Sequence, residues 1–417
     1  MPTVRWFPRD ARFRHFHKCL QRFYLKKEAE EALKAIAAFL IIELRKRRCA
    51  SPLVARRKFL LALAALAFHY DSLMEEIRRK SITVFFPSQE MQSWDDDTFE
   101  KMFRFRREDF HRVLDSLQIS GKFMLCGRDK REQKYPAHLC LMVVLRRLSF
   151  PCRFVDLVNI FGLPSNRLCD IFHSTVDFLY EEYARTLNQY SIWCDHFPSF
   201  AKALHDYGAP YDNLVSIFDG HFIAVCRPGG LGNVKSRLDQ SELYTGEKAQ
   251  HGIKYLVAQF PNGITALSGP YKGKVHDGRM LRESRWTEIL SNHAARPGGR
   301  HYIMFGDAGF CVSAHVQAMV RSYAGYIQDD ARSYNHLMSR IRIYIENSFA
   351  ESANVFSHLN FKNNLRLGGR RIRRVYEVAN FLMNVRTTFY GNQFTCALQH
   401  QLAISLEEFL GMARASR

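Results

Sequence analysis

The rhythm of apolar and polar positions changes near Ala209, dividing the chain into a helical first half and a strand-rich second half. EAEEALKAIAAFLIIELRKRR (28–48) starts acidic and ends basic, a polarity that suits a helix dipole. A second helix is predicted from about Leu53 to Arg79. SWDDDTFEKMFRFRREDFHRVLDSL (93–117) sets Asp95, Asp96 and Asp97 ahead of an aromatic-rich helix. These three acids read as an N-terminal helical turn rather than as metal ligands.

Three further helices are expected over 136–180: AHLCLMVVLRRL (137–148), RFVDLVNIF (153–161) and NRLCDIFHSTVDFLY (166–180). Gly162, Pro164 and Ser165 supply stop and start signals between the last two. Two helices around a short Gly-containing turn fit a helix-turn-helix, a unit that lays its second helix in a DNA groove. Plain helix packing fits the same pattern.

Beyond Ala209, LVSIFDG (214–220), HFIAVCRP (221–228), KYLVAQF (254–260), ITALSG (264–269), HYIMFGD (301–307) and GYIQ (325–328) read as short strands. Pro261-Asn262-Gly263 is a hairpin turn between two of them. Helices are expected at ESRWTEILSNH (283–293), SAHVQAMVRSY (313–323) and HLMSRIRIYIENSFAESANVF (336–356). Antiparallel strands followed by alternating strands and helices predict an α+β or α/β layer.

The net charge of +19 favours a polyanionic partner, most commonly nucleic acid. Ten cysteines are scattered with no C-x-x-C pair, which gives no zinc spacing and fits reduced thiols inside a cell. The longest apolar run, Phe59 to Phe68, is about half the length needed to cross a bilayer, so no membrane span is expected. P-loop and Ser-His-Asp signatures are absent, and GGLG (229–232) reads as a loop. A paired-carboxylate glycosidase sits poorly with the basic charge.

Three acids occupy positions that raise a chemical question. Asp219 ends one apolar run before Gly220, and Asp307 ends another after Gly306. Glu346 lies at the edge of the apolar stripe formed by Met338, Ile341, Ile345 and Phe349. Carboxylates from two strand ends and a helix suit hard cations such as Mg²⁺ or Mn²⁺. The alternative is structural: strand-end acids capping turns, with Glu346 paired to Arg342 one helical turn earlier.

Several blocks, in order, resemble the DDE endonuclease domain of PIF/Harbinger-type transposases over about residues 205–392. They are DGHFIAVCRP (219–228), YTGEKAQHGIKYLVAQFPNGITALSGPYKGKVHDGRMLRES (244–284), MFGDAGF (304–310), SYNHLMSRIRIYIENSF (333–349), FKNNLRL (361–367) and VANFLMNV (378–385). The resemblance implies an RNase H-like domain in which Asp219, Asp307 and Glu346 are catalytic and hold two divalent ions, Mg²⁺ or Mn²⁺. It implies cutting and joining of DNA at transposon ends or a genomic target, in the nucleus. A separate DNA-binding partner protein and self-association are further expectations of this kind of protein. The rival reading is a domesticated, catalytically silent DNA-binding descendant.

The chain departs from the family pattern at Phe349-Ala350-Glu351, where Phe-Gly is common, and at Phe310, where Tyr is common. His276 and Asp277 are secondary candidates, either assisting the metals or positioning their loop. Lys248, His251 and Lys254, with Arg366, Arg370, Arg371, Arg373 and Arg374 of RLGGRRIRR (366–374), are candidate DNA contacts. Arg279, Arg282 and Arg285 either face DNA or pair with Glu283 and Glu288. The expected organisation is a helical region at 1–90, a helix-turn-helix-like region at 91–200, the endonuclease domain at 205–392 and a tail at 393–417.

Overall fold

The computed structural model describes residues 94–119, 122–124, 132–228, 240–293, 300–321, 327–362, 365 and 372–415. The helices expected at 28–48 and 53–79, the strand at 325–328 in part, and Arg366, Arg370 and Arg371 lie outside the described residues.

In chain order the elements begin with α1 (Asp96–Phe103), α2 (Arg107–Leu117), the small hairpin β1 (Lys122–Met124) and β2 (Glu132–Lys134), α3 (Ala137–Ser149), α4 (Val158–Phe161), α5 (Ser165–Glu182) and α6 (Phe197–Asp206). Next come β3 (Leu214–Ala224), α7 (Gln240–Leu243), β4 (Tyr244–Thr245), β5 (Gln250–Gln259), β6 (Thr265–Lys272), α8 (Asp277–Ser284), α9 (Trp286–His293), β7 (Ile303–Gly306) and β8 (Val316–Ala318). The chain then forms α10 (Asp329–Val355), α11 (Ile372–Tyr390), α12 (Gln393–Ala397) and α13 (Leu406–Ala415).

The Asp cluster behaves as a helix start. The Asp95 side chain accepts a hydrogen bond from the Thr98 amide at 2.8 Å, and Asp96 and Asp97 sit in the first turn of α1. The single helix expected over 93–117 is broken at Arg104, which takes the left-handed conformation with φ 66°.

A mixed sheet carries the second half. β3, β5 and β6 run antiparallel, whereas β7 and β8 continue from β3 in parallel. β4 pairs with the start of β5. The first five residues of β3 are buried without alternation, as expected for a strand covered on both faces. The two runs expected at 214–220 and 221–228 join in this one strand, so Asp219 lies within it rather than at its end. The hairpin expected at Pro261-Asn262-Gly263 is present: Gly263 has φ 81°, and its amide bonds to the Phe260 carbonyl at 2.8 Å.

Two other expectations are corrected. SAHVQAMVRSY is expected to be a helix, but Val316–Ala318 is a strand, with Val316 and Ala318 buried and Gln317 half-buried between them. The helix expected at 153–161 shrinks to the single turn α4, because Asp156 accepts hydrogen bonds from the amide and side chain of Arg153 and holds a turn there. The flanking helices α3 and α5 pack together, with Leu168, Ile171, Phe172, Val176 and Leu179 of α5 buried.

The described residues belong to one compact unit. Tyr190 shows the continuity. Its hydroxyl hydrogen-bonds Ser216 of β3 at 2.8 Å, while its ring stacks on Trp286 and packs on Phe260. α11 is buried along most of its length, from Ile372 to Val385. The expected tail contributes α12 and α13, which bury Phe394, Leu406, Phe409 and Leu410 in the same core.

Candidate functional site

The parallel register of β3 and β7 brings two of the acids level. Ile217 pairs with Phe305, and two residues further along each chain stand Asp219 and Asp307. Side chains alternate along a strand, so both acids leave the sheet on the face of those paired residues. Gly306 is required just before Asp307. A Cβ there would stand 2.7 Å from the Phe218 ring and 2.9 Å from Phe310, whose rings pack 4.5 Å apart beneath the strand end. Phe310, one of the departures from the family pattern, thus has a packing role.

α10 lies over this face and presents Glu346. Met338, Ile341 and Ile345 are buried, as the apolar spacing predicts, and Glu346 sits beside them at the exposed edge. The Phe349 ring packs at a tilt against His221 of β3, with ring centres 4.3 Å apart, tying helix to strand immediately beyond Asp219.

Arg342 links two of the three acids. Its Nη2 is 2.5 Å from Glu346 Oε1, and its Nη1 is 3.7 Å from Asp219 Oδ2. The pairing of Glu346 with Arg342 foreseen from their spacing is therefore present, but it is shared: the same guanidinium reaches across to the strand. This second contact was not visible in the sequence, because it joins residues more than a hundred positions apart.

Burial pushes the Asp219 carboxyl up to about 6, and the Asp307 and Asp277 charges act in the same direction. The Gly220 amide, donating to Asp219 Oδ1 at 2.7 Å, and the Arg342 charge oppose that rise. Burial is the larger influence, so Asp219 sits in a place where a negative charge wants a cation.

Asp277 occupies the other face of β3. It begins α8 and lies against Gly220, whose missing Cβ would stand 3.1 Å from its carboxyl carbon. Lys254 of β5 holds it, with Nζ 3.0 Å from Asp277 Oδ1 and 3.2 Å from the Val275 carbonyl. His276 is the exposed N-cap residue of α8 and makes no side-chain capping bond. Asp277 thus packs on Gly220 and pairs with Lys254, close enough for its charge to act on Asp219.

The remaining candidates are dispersed. Lys248 is exposed beside Glu247, and His251 packs edge-on against Tyr244. Lys254, Lys274, His276, Thr245 and Tyr244 line a cavity of about 360 Å³. Arg373 pairs with buried Glu377 at 2.8 Å, whereas Arg374 pairs with Asp177 and Glu181 at 2.8 and 2.7 Å. Arg279 and Arg285 pair with Glu283 and Glu288. Glu351 lies 3.8 Å from Arg386.

Among the described residues, no group of three or more His, Cys, Asp or Glu side chains already stands as a metal cage. The donor chemistry nevertheless suits a hard cation. The acids offer oxygen alone, and two of them already share a cationic group, the Arg342 guanidinium. No described helix is long and apolar enough to cross a membrane.

Residues 218–384 match the family model of the DDE superfamily endonuclease, a span that contains Asp219, Asp307 and Glu346. The mixed sheet with its helices is compatible with such a nuclease domain, and the match supports a DDE transposase-like domain over this part of the chain. Neither the curated proteins nor the solved structures include a match to this chain.

Proposed function

We propose that this protein is a metal-dependent DNA endonuclease of the PIF/Harbinger transposase type, built on an RNase H-like domain. Asp219, Asp307 and Glu346 would hold two divalent ions, Mg²⁺ or Mn²⁺. The observation that supports this reading is the register of β3 and β7, which puts Asp219 level with Asp307 just past the end of β7, together with a helix acid joined to Asp219 through a single guanidinium. The family match over the same residues supports it.

When bound, such ions supply a water acidic enough to attack at neutral pH and neutralise charge on the phosphodiester. The protein's own contribution is placement. β3 and β7 fix Asp219 and Asp307 at one level, and the Gly220 amide orients the Asp219 carboxylate. α10 carries Glu346, linked to Asp219 through Arg342, and the tilted His221–Phe349 ring contact ties that helix to β3. The net charge of +19 steers DNA toward the site, and exposed Lys248 and Lys274 suit backbone phosphate contacts. Joining of ends by a freed 3′-hydroxyl, a nuclear location, self-association and a separate end-recognition protein belong to the same proposal.

The test is nicking of duplex DNA by the purified full chain in Mg²⁺ or Mn²⁺. Asp219→Asn, Asp307→Asn and Glu346→Gln should each abolish cutting while leaving the fold and DNA retention intact. Nicking at the wild-type rate by one of these variants removes that residue from the site. A second reading, a DNA-binding protein without catalysis, draws on the Arg342 guanidinium that already contacts two of the acids. DNA binding without cutting by the intact chain favours it.

A further inference from the structure

We propose that Arg342 is an internal counter-ion that occupies the cation position between Asp219 and Glu346 and must withdraw before a divalent ion can enter. This inference rests on the metal-dependent reading above. It makes Arg342 a positioning residue that sets how tightly, and therefore at what metal concentration, the site is loaded.

The geometry distinguishes this contact from ordinary helix-surface pairing. Arg279–Glu283 and Arg185–Glu181 are also one helical turn apart, but their arginine side chains are 64% and 65% exposed. The Arg342 side chain is 21% exposed, as is the Asp219 side chain it reaches. It touches carboxylates from two different elements, a strand and a helix, whereas a surface pair needs one element. Its Nε is buried without a hydrogen-bond partner. Arg342 spends its two outer nitrogens on the acids and leaves the inner one bare.

The consequence follows from charge. A guanidinium stays protonated at any working pH, so the position can be vacated through movement of the side chain and not through loss of a proton. While it stays, one positive charge repels an entering cation and occupies oxygens that the cation would use. The longer contact, to Asp219, is the weaker of the two and would break first. Asp219 would then become available, with Asp307 level beside it.

The experiment is Mn²⁺ binding to the full-length protein, followed by calorimetry and by the loss of the free-ion electron paramagnetic resonance signal. Arg342→Gln removes the charge and should bind Mn²⁺ about tenfold tighter than wild type, a conservative reading of one close like-charge repulsion. Arg342→Lys keeps the charge on a shorter reach and should fall between the two. If circular dichroism shows that the Gln variant does not fold, the Lys variant decides alone. Binding equal to or weaker than wild type in the folded variants overturns the proposal. Asp219→Asn and Glu346→Gln report separately on the site itself. If they abolish Mn²⁺ binding while the Arg342 variants leave it unchanged, the counter-ion role alone falls. If Mn²⁺ does not bind at these acids in wild type or in the Arg342 variants, the nuclease reading falls with it.

Discussion

Asp277 packs directly on Gly220: a Cβ at residue 220 would stand 3.1 Å from its carboxyl carbon and 3.2 Å from both oxygens. The residue after Asp219 is thus bare because an acid from α8 leans on it from the opposite face of the sheet. The Asp-Gly pair is a structural unit, with the acid on one face, the glycine yielding space on the other, and the glycine amide bonded to the acid.

Gly220→Ala should therefore act on the site without removing any charged group. The new methyl would push Asp277 from Lys254 and tilt the amide that holds Asp219. We expect a stability loss of about 1–3 kcal/mol, the usual range for overpacking, with a clear fall in metal-dependent nicking. Gly278→Ala is the control, since a Cβ there meets no neighbouring atom within 4 Å. Urea unfolding and a nicking assay on both variants decide the matter. Equal behaviour of the two would show that Asp277 yields freely and braces nothing.

Glu377 gives a pH dependence that does not involve the proposed site. Its side chain is wholly buried in α11 and accepts hydrogen bonds from Arg373, Tyr255 and Asn188. Burial raises its carboxyl above the usual 4.5, although Arg373 and the hydrogen bonds pull it back. Between the usual value and the raised one, the folded chain keeps a proton that the unfolded chain has lost. Stability from this group is therefore complete below about 4.5 and declines as pH rises through the folded value. Glu377→Gln, always neutral, should lack that decline. Urea midpoints from pH 4 to 8 should show the variant gaining on wild type as pH rises. Parallel profiles would show that Glu377 ionises normally in the fold.

Local signals in the chain revealed local features. Pro261-Asn262-Gly263 announced its hairpin, the apolar spacing on α10 placed Glu346 at a helix edge, and Gly306-Asp307 marked a strand end. The failures share a different cause. Val316–Ala318 is three residues long, too short for alternation to be told from helical spacing, and its pairing with β7 is a tertiary fact. α4 is cut short by a bond between Arg153 and Asp156 that depends on side-chain geometry. Arg342 was accounted for by its neighbour Glu346, and nothing in the spacing pointed to Asp219. The basic strip shows the same limit, because the partners of Arg374 come from α5, almost two hundred residues earlier.

That strip leads to the last prediction, which separates basic residues that serve the fold from those that serve DNA. Arg374 is clamped by Asp177 and Glu181, and its guanidinium lies 4.8 Å from the Tyr180 ring centre. Its charge is already used inside the protein, so it has little to offer a phosphate. Lys248 is 55% exposed, and its contact with Glu247, itself 73% exposed, is screened by solvent. Lys248→Ala should lower the slope of log affinity against log salt by about one, with the melting temperature unchanged. Arg374→Ala should leave that slope alone and cost about 1–2 kcal/mol of stability, because it removes two charge-assisted hydrogen bonds and the packing on Tyr180. Fluorescence anisotropy on a DNA duplex across a salt series, with thermal melts of the same samples, measures both quantities. The reverse pattern would place Arg374 on the DNA and would mean that its carboxylate partners release it on binding.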